Sequence, residues 1–215
     1  MIPSRMRARS MLLVGPTGAG KTPLGDYFEE RGFSGKRCFH FDFGHQLRNI
    51  AGEGSPPEGF SEEDHAFITA VLERGLLLEN KNFFIAEKII TLFFHRSNFA
   101  RNDILVLNGL PRHVGQAEDM EEIVEIQDII VLECSPKDVY RRIRCNTGSD
   151  RVERVDDDIG MVRKKLEIFR RRTAPLIDYY ANAGGNVCSI NVSSSSTAED
   201  LYSEVQRYFR RDISI

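Results

Sequence analysis

Ser10-Met11-Leu12-Leu13-Val14-Gly15-Pro16-Thr17-Gly18-Ala19-Gly20-Lys21-Thr22 decides the reading of this chain. Met11–Val14 is an unbroken apolar run, which suits a strand covered on both faces. The next eight residues fit G-x-x-x-x-G-K-[ST] in full, between that strand and a helix, the context in which the pattern has meaning. Gly15, Gly18 and Gly20, with the small Ala19 between, let the backbone curl so that successive N–H groups point at phosphate oxygens. The following helix adds its positive N-terminal end. Lys21 supplies a full charge to the β- and γ-phosphates, and Thr22 offers a hydroxyl to Mg²⁺. The bland alternative is a glycine-rich turn with an exposed lysine. The loop specifies a nucleoside triphosphate or other polyphosphate and leaves the reaction open.

Outward from this loop, Arg37–Phe41, Ile104–Leu107, Ile129–Glu133 and Val187–Ile190 read as four further short strands, with Ser10–Val14 as the first. The clearest helix spans about Asp156–Tyr180, with Ile159, Val162, Leu166, Phe169, Thr173 and Leu176 at helical spacing. Strand and helix in alternation predict an α/β domain, a five-stranded parallel sheet with right-handed crossovers. Residues 43–103 interrupt the alternation with a long, mostly helical insertion. Within it Gly52–Gly59 is a loop, and Ser61 starts a helix with Asp64 at the capping-box position. Asn146–Glu153 is a second, short polar interruption.

Composition bounds what the loop can serve. With 215 residues, 41% hydrophobic and 28% charged, one domain with a full core is expected over residues 10–215. No uncharged run is long enough to span a bilayer. Lys+Arg (29) nearly balance Asp+Glu (32), which argues against a general nucleic-acid or membrane-surface binder. Any anionic ligand must then be met by locally gathered bases. Cys38, Cys134, Cys145 and Cys188 form no CxxC pair, so a four-cysteine zinc site is not expected and a reducing cytoplasm is. Residues 1–9 carry three arginines and no acid, and read as a loose basic tail.

The order of features resembles the nucleoside monophosphate kinases, adenylate kinase most of all, from about Met11 to Phe209. Gly15–Gly25 is similar to the family's GPPGSGKGTQ. Phe43-Gly44-His45-Gln46-Leu47-Arg48 stands in place of T-G-D-x-L-R. Asn108-Gly109-Leu110-Pro111-Arg112 with Gln116 stands in place of D-G-F-P-R-x-x-x-Q. Arg154-Val155-Asp156-Asp157, Lys165 and Thr173–Tyr180 look like R-x-D-D…R…T-x-P-L-I-x-Y-Y.

The resemblance implies a P-loop NTPase core, an acceptor-binding helical insertion at about 43–103 and a short lid at about 144–154. It implies Mg²⁺-dependent phosphoryl transfer from ATP to a monophosphate by a monomer that binds neither nucleic acid nor membrane. Gly44, Arg48, Gly109 and Arg112 would hold the acceptor, and Arg112, Arg154 and Lys165 would join Lys21 around the transferring group. Guanidinium groups suit this because they are always charged and meet phosphate with two N–H groups at once. Gln116 would read the acceptor base, which tilts the acceptor toward AMP; the alternative is a helix cap. Arg142 would pack on the ATP base; the alternative is a solvated arginine in the run Arg141–Arg144.

The chain departs from the family pattern where the family keeps acids. His45 and Asn108 stand in place of two aspartates, which leaves Asn108 to meet the metal through a water, without charge. Arg144 or Arg151 would have to replace a lid arginine at Asn146. On this reading, restoring the acid by Asn108→Asp raises activity. Open alternatives are another acceptor (CMP, UMP, a deoxynucleotide or a non-nucleotide alcohol) and a catalytically weakened adenine-nucleotide sensor.

Overall fold

The computed structural model describes residues 7–74, 78–148 and 159–211. Five strands form one parallel sheet in the order β2-β3-β1-β4-β5. They are β1 (Ala8–Val14), β2 (Cys38–Asp42), β3 (Ile104–Asn108), β4 (Val124–Cys134) and β5 (Asn186–Val192). Four of the five runs fall within longer strands, because ladder pairing continues past the last apolar residue; the run Arg37–Phe41 is shifted by one, since β2 starts at Cys38 and ends at Asp42. β4 reaches back to Val124 by pairing with Ala8–Ser10, and Gln127 is the extra residue where the register shifts. Ala8 and Arg9 are therefore strand rather than tail, while residues 1–6 lie outside the described residues.

The unbroken apolar runs have a simple cause: both faces are covered. Leu12 and Val14 point into one core, with Phe41, Leu105, Leu107, Ile129 and Val131. Met11 and Leu13 point into the other, with Leu24 and Phe28 of α1 (Lys21–Arg31) and Leu201 and Val205 of α9 (Ala198–Arg211). Each fully buried side chain of this size contributes roughly 1.5–3 kcal/mol.

The insertion consists of α2 (Phe43–Gly52), α3 (Glu62–Arg74), a short 3₁₀ turn (Asn80–Asn82) and α4 (Phe83–Ser97), packed on the first core. The capping box is formed: Ser61 N–H donates to Asp64 Oδ2 at 3.0 Å and Asp64 N–H to Ser61 Oγ at 3.2 Å. Lys88 Nζ of α4 adds an ion pair to the same carboxylate at 2.6 Å, which ties two insertion helices together. Next come α5 (Val114–Met120) and α6 (Pro136–Cys145).

The long helix expected at 156–180 is three pieces: α7 (Ile159–Ile168), a π turn over Phe169–Thr173 and α8 (Pro175–Asn182). Pro175 has no N–H and its ring crowds the preceding turn. The chain relaxes by one residue there, and Ala174 N–H reaches Phe169 O at 2.8 Å. Residues 156–158 lie outside the described residues, as do Arg151 and Arg154 and most of the expected lid tip.

Register brings the chemistry together. Asn108 at the end of β3 pairs with Asp42 at the end of β2 and with Leu13 of β1, just before the glycine loop. The carboxyl ends of three adjacent strands thus open into one crevice, where open α/β sheets bind ligands. Asp64→Ala removes a reciprocal cap and an ion pair at a buried position; it is expected to destabilise the chain by about 1–2 kcal/mol in urea unfolding. An unchanged midpoint would show that the box contributes nothing.

Candidate active site

The glycine loop leads from β1 into α1. Gly18 (φ 78°) and Gly20 (φ 97°) are in the left-handed region, where a side chain is strained. Lys21 Nζ reaches back over the loop to Gly15 O at 2.7 Å and Pro16 O at 2.9 Å, so the charge lies against the start of the loop. Ala19 is fully buried beneath.

Arg142 departs from the solvated reading. It is 4% exposed and does not line the cleft. Its guanidinium donates to Gly18 O at 3.0 Å, Ser193 O at 2.9 Å and Ser196 O at 2.7 Å. It is therefore not a solvated arginine. It bolts the glycine loop to the turn between β5 and α9, because a buried guanidinium requires acceptors.

The metal side holds the main correction. Thr22 Oγ1 donates to Asp42 Oδ2 at 2.7 Å. Asn108 Nδ2 donates to the same oxygen at 2.9 Å and lies 3.1 Å from Thr22 Oγ1. A carboxylate therefore does stand beside the loop threonine, although His45 and Asn108 are not acids. His45 instead gives its backbone N–H to Asp42 Oδ1 at 2.9 Å, capping α2. Behind Asn108, buried His40 has Nε2 3.4 Å from Asn108 Nδ2 and Nδ1 2.8 Å from Asp26 Oδ1. With Nδ1 donating to Asp26, Nε2 is the acceptor facing Asn108.

A hydroxyl, a carboxylate and an amide oxygen form a hard-oxygen donor set that fits Mg²⁺. Among the described residues no cluster of three or more His, Cys, Asp or Glu could cage a metal by itself. Mg²⁺ fits that pattern too, because it usually keeps waters and shares its shell with phosphates.

The cleft is about 270 Å³ and runs from Lys21 and Thr22 past Asp42 to Arg48, Arg112 and Lys165. Gly15, Gly18, Gly20, Gly44 and Gly109 also line it. Arg112 is oriented by its own Nε bond to Gly109 O at 2.9 Å, and its carbonyl accepts from Thr173 Oγ1 at 2.9 Å, which fixes the π turn against it. Arg154 lies outside the described residues.

Gln116 does not line the cleft. It is 1% exposed, its Oε1 accepts from Arg112 N–H at 2.9 Å and its Nε2 donates to Leu78 O at 3.0 Å. The amide braces the loop that carries Arg112. The cap of α5 is His113, whose Nδ1 accepts from Gln116 N–H at 3.3 Å.

Comparison with known proteins bears on the family and the fold. The model of the AAA domain family matches residues 11–159. The chain belongs to the AAA domain family. Over most of its length this AAA-domain chain is adenylate kinase-like. It is 28% identical over 194 residues to the adenylate kinase of Synechococcus sp. (strain WH7803), covering 87% of this chain and 92% of the relative. It is 26% identical to the adenylate kinase of Haloarcula marismortui, covering 91% and 94%. It is 24% identical to UMP-CMP kinase 1 of Oryza sativa subsp. japonica, covering 93% and 73%. Among solved structures, a gluconokinase from Sinorhizobium meliloti 1021 superposes with TM-score 0.54 at 14% identity, over 96% of this chain and 94% of that one. That likeness shows the α/β P-loop fold alone.

Electrostatics in this AAA-domain site turn on Asp42. Burial raises its pKa, but the Thr22 hydroxyl and the His45 N–H, helped by nearby His40 and Arg48, outweigh it and hold the carboxyl below its ordinary 3.8. Burial pushes the Arg112 guanidinium down, Asp42 offsets this, and Arg48 adds to it. A carboxyl lowered by folding stabilises the fold above the ordinary carboxylate range and loses that effect as pH falls. The stability difference between wild type and Asp42→Asn is therefore expected to shrink as pH falls from about 6 to about 3. A difference independent of pH, measured by urea unfolding, would contradict an ionised Asp42.

Proposed function

We propose that the chain is an ATP-dependent nucleoside monophosphate kinase, with AMP as acceptor and two ADP as products. The observation that carries this reading is the meeting of Lys21, Arg48, Arg112 and Lys165 with Thr22 and Asp42 in one cleft. An acceptor phosphate oxygen attacks the γ-phosphorus, a new P–O bond forms, and the bond to the β-phosphate oxygen breaks. The attacking oxygen is already anionic, so no general base is required. What is required is two phosphates in line with their repulsion neutralised.

The glycine loop and Lys21 take the donor phosphates, and Arg48 and Arg112 take the acceptor phosphate, with Gly44 and Gly109 allowing close approach. Lys165 and Arg154 serve the transferring group. Thr22 and Asp42 would hold Mg²⁺, with Asn108 meeting it through a water; the ion would supply positive charge against the phosphates. Residues 43–103 form the acceptor-binding insertion, and about 144–154 the lid.

AMP rests on the recurrence of adenylate kinases among the relatives. The UMP-CMP kinase among them makes CMP and UMP the rivals to include. The reading carries with it a cytoplasmic monomer that binds neither nucleic acid nor membrane; Cys38 and Cys188, packed in strands as small buried hydrophobes, suit a reducing compartment. Among the described residues no helix is long and apolar enough to cross a membrane.

Purified protein with ATP, Mg²⁺ and each monophosphate in turn is expected to form diphosphate fastest with AMP. Lys21→Ala is expected to cut that rate by about 10²-fold or more. Turnover of CMP or UMP alone would overturn the acceptor. Tight ATP binding with no turnover of any monophosphate would favour the sensor.

A further inference from the structure

The contact between positions 42 and 108 restricts what each can be. Asp42 uses both oxygens: Oδ1 accepts from His45 N–H, and Oδ2 accepts from Thr22 Oγ1 and Asn108 Nδ2. Asn108 Nδ2 is surrounded by acceptors, namely Asp42 Oδ2 at 2.9 Å, Thr22 Oγ1 at 3.1 Å and His40 Nε2 at 3.4 Å. Turning the amide over would set its oxygen against all three. Its donor end is therefore fixed toward Asp42, and its carbonyl oxygen is the end left for the cleft that Asn108 lines.

The ring of His40 is held in turn. A Cβ on Gly25 of α1 would sit 2.3 Å from it, so α1 carries glycine where the imidazole packs.

We propose that Asp42 and Asn108 are a complementary acid–amide pair, in which Asp42 is, among the described residues, the single metal-side carboxylate and Asn108, oriented from behind by His40, is the positioning residue that holds it. This rests on the reading of the cleft as a Mg²⁺–nucleotide site. Its consequence runs against the expectation from the sequence: Asn108→Asp lowers activity instead of raising it. Two carboxylates would meet at a hydrogen-bonding distance, and like charges there repel.

Asp42→Asn fails for the opposite reason. Its one oxygen is needed by the His45 N–H, a cap that Asn makes as well as Asp, so its NH₂ would face the NH₂ of Asn108. With both changes the pair matches again: the amide now at position 42 caps α2 through its oxygen and donates to the carboxylate now at position 108. Only His40 Nε2, now facing an acceptor, is left mismatched, so recovery is expected to be incomplete.

The test is a double-mutant cycle on the full chain with Asp42→Asn, Asn108→Asp and the two combined. Three quantities are read: the thermal midpoint without nucleotide or metal, the gain in ATP affinity on adding Mg²⁺, and kcat with AMP. Each single variant is expected to lower the midpoint by about 4 °C or more. Each is also expected to reduce the Mg²⁺-dependent gain about tenfold, and kcat with it. The combined variant is expected to regain at least half of each loss. Losses that simply add, or an Asn108→Asp variant equal to wild type or better, would overturn the pair. An unchanged Mg²⁺ gain in Asp42→Asn would overturn Asp42 as the metal-side acid. If wild type phosphorylates no monophosphate, the kinase reading fails, while the midpoint and the Mg²⁺–ATP affinities still decide the pair.

Discussion

The hydrogen bond from Thr22 Oγ1 to Asp42 Oδ2, at 2.7 Å, is the constraint on which the site depends. It joins the first turn of α1 to the end of β2, two strands away from β1 in the sheet. The intervening strand, β3, contributes Asn108 to the same oxygen. One carboxylate thereby aligns three strand ends and keeps an acceptor-rich point beside the phosphate loop. It stays ionised because donors surround it, and Arg48 and Arg112 stand further along the same cleft. The net charge of −3 conceals this arrangement: the whole surface is nearly balanced, while the bases that matter converge.

What could be read from the sequence was whatever depends on neighbours in the chain. The glycine loop, the buried strands and the Ser61–Asp64 capping box are local patterns with local causes. Asp42 escaped because its role is set by register. Nothing near residue 42 in the chain states that it pairs across the ladder with Asn108, and positions 45 and 108 by themselves hold no acid. One signal was available: an acid closes an apolar strand, just before a helix, two residues ahead of Gly44.

Gln116 and Arg142 show a different limit of the sequence. A position in a motif says where a side chain starts, not which groups it must satisfy. Leu78 O and Arg112 N–H claim the Gln116 amide, and Gly18 O, Ser193 O and Ser196 O claim the Arg142 guanidinium. Burial of the Gln116 amide and the Arg142 guanidinium obliges each to find partners, and these backbone groups are the ones within reach. Both support the site from behind: Gln116 through the backbone of Arg112, Arg142 through the loop that ends at Lys21. The break in the long C-terminal helix is of the same kind, since Pro175 forces a π turn and that turn puts Phe169 and Thr173 on the cleft.

The central claim, that Asp42 rather than residue 45 or 108 supplies the metal-side charge, can be tested by locating the metal. In crystals grown with Mn²⁺ and a non-hydrolysable ATP analogue, the anomalous peak is expected about 2.1 Å from Thr22 Oγ1. Asp42 is expected to reach that ion directly or through one bound water. A peak whose protein contacts exclude Asp42 would contradict the account.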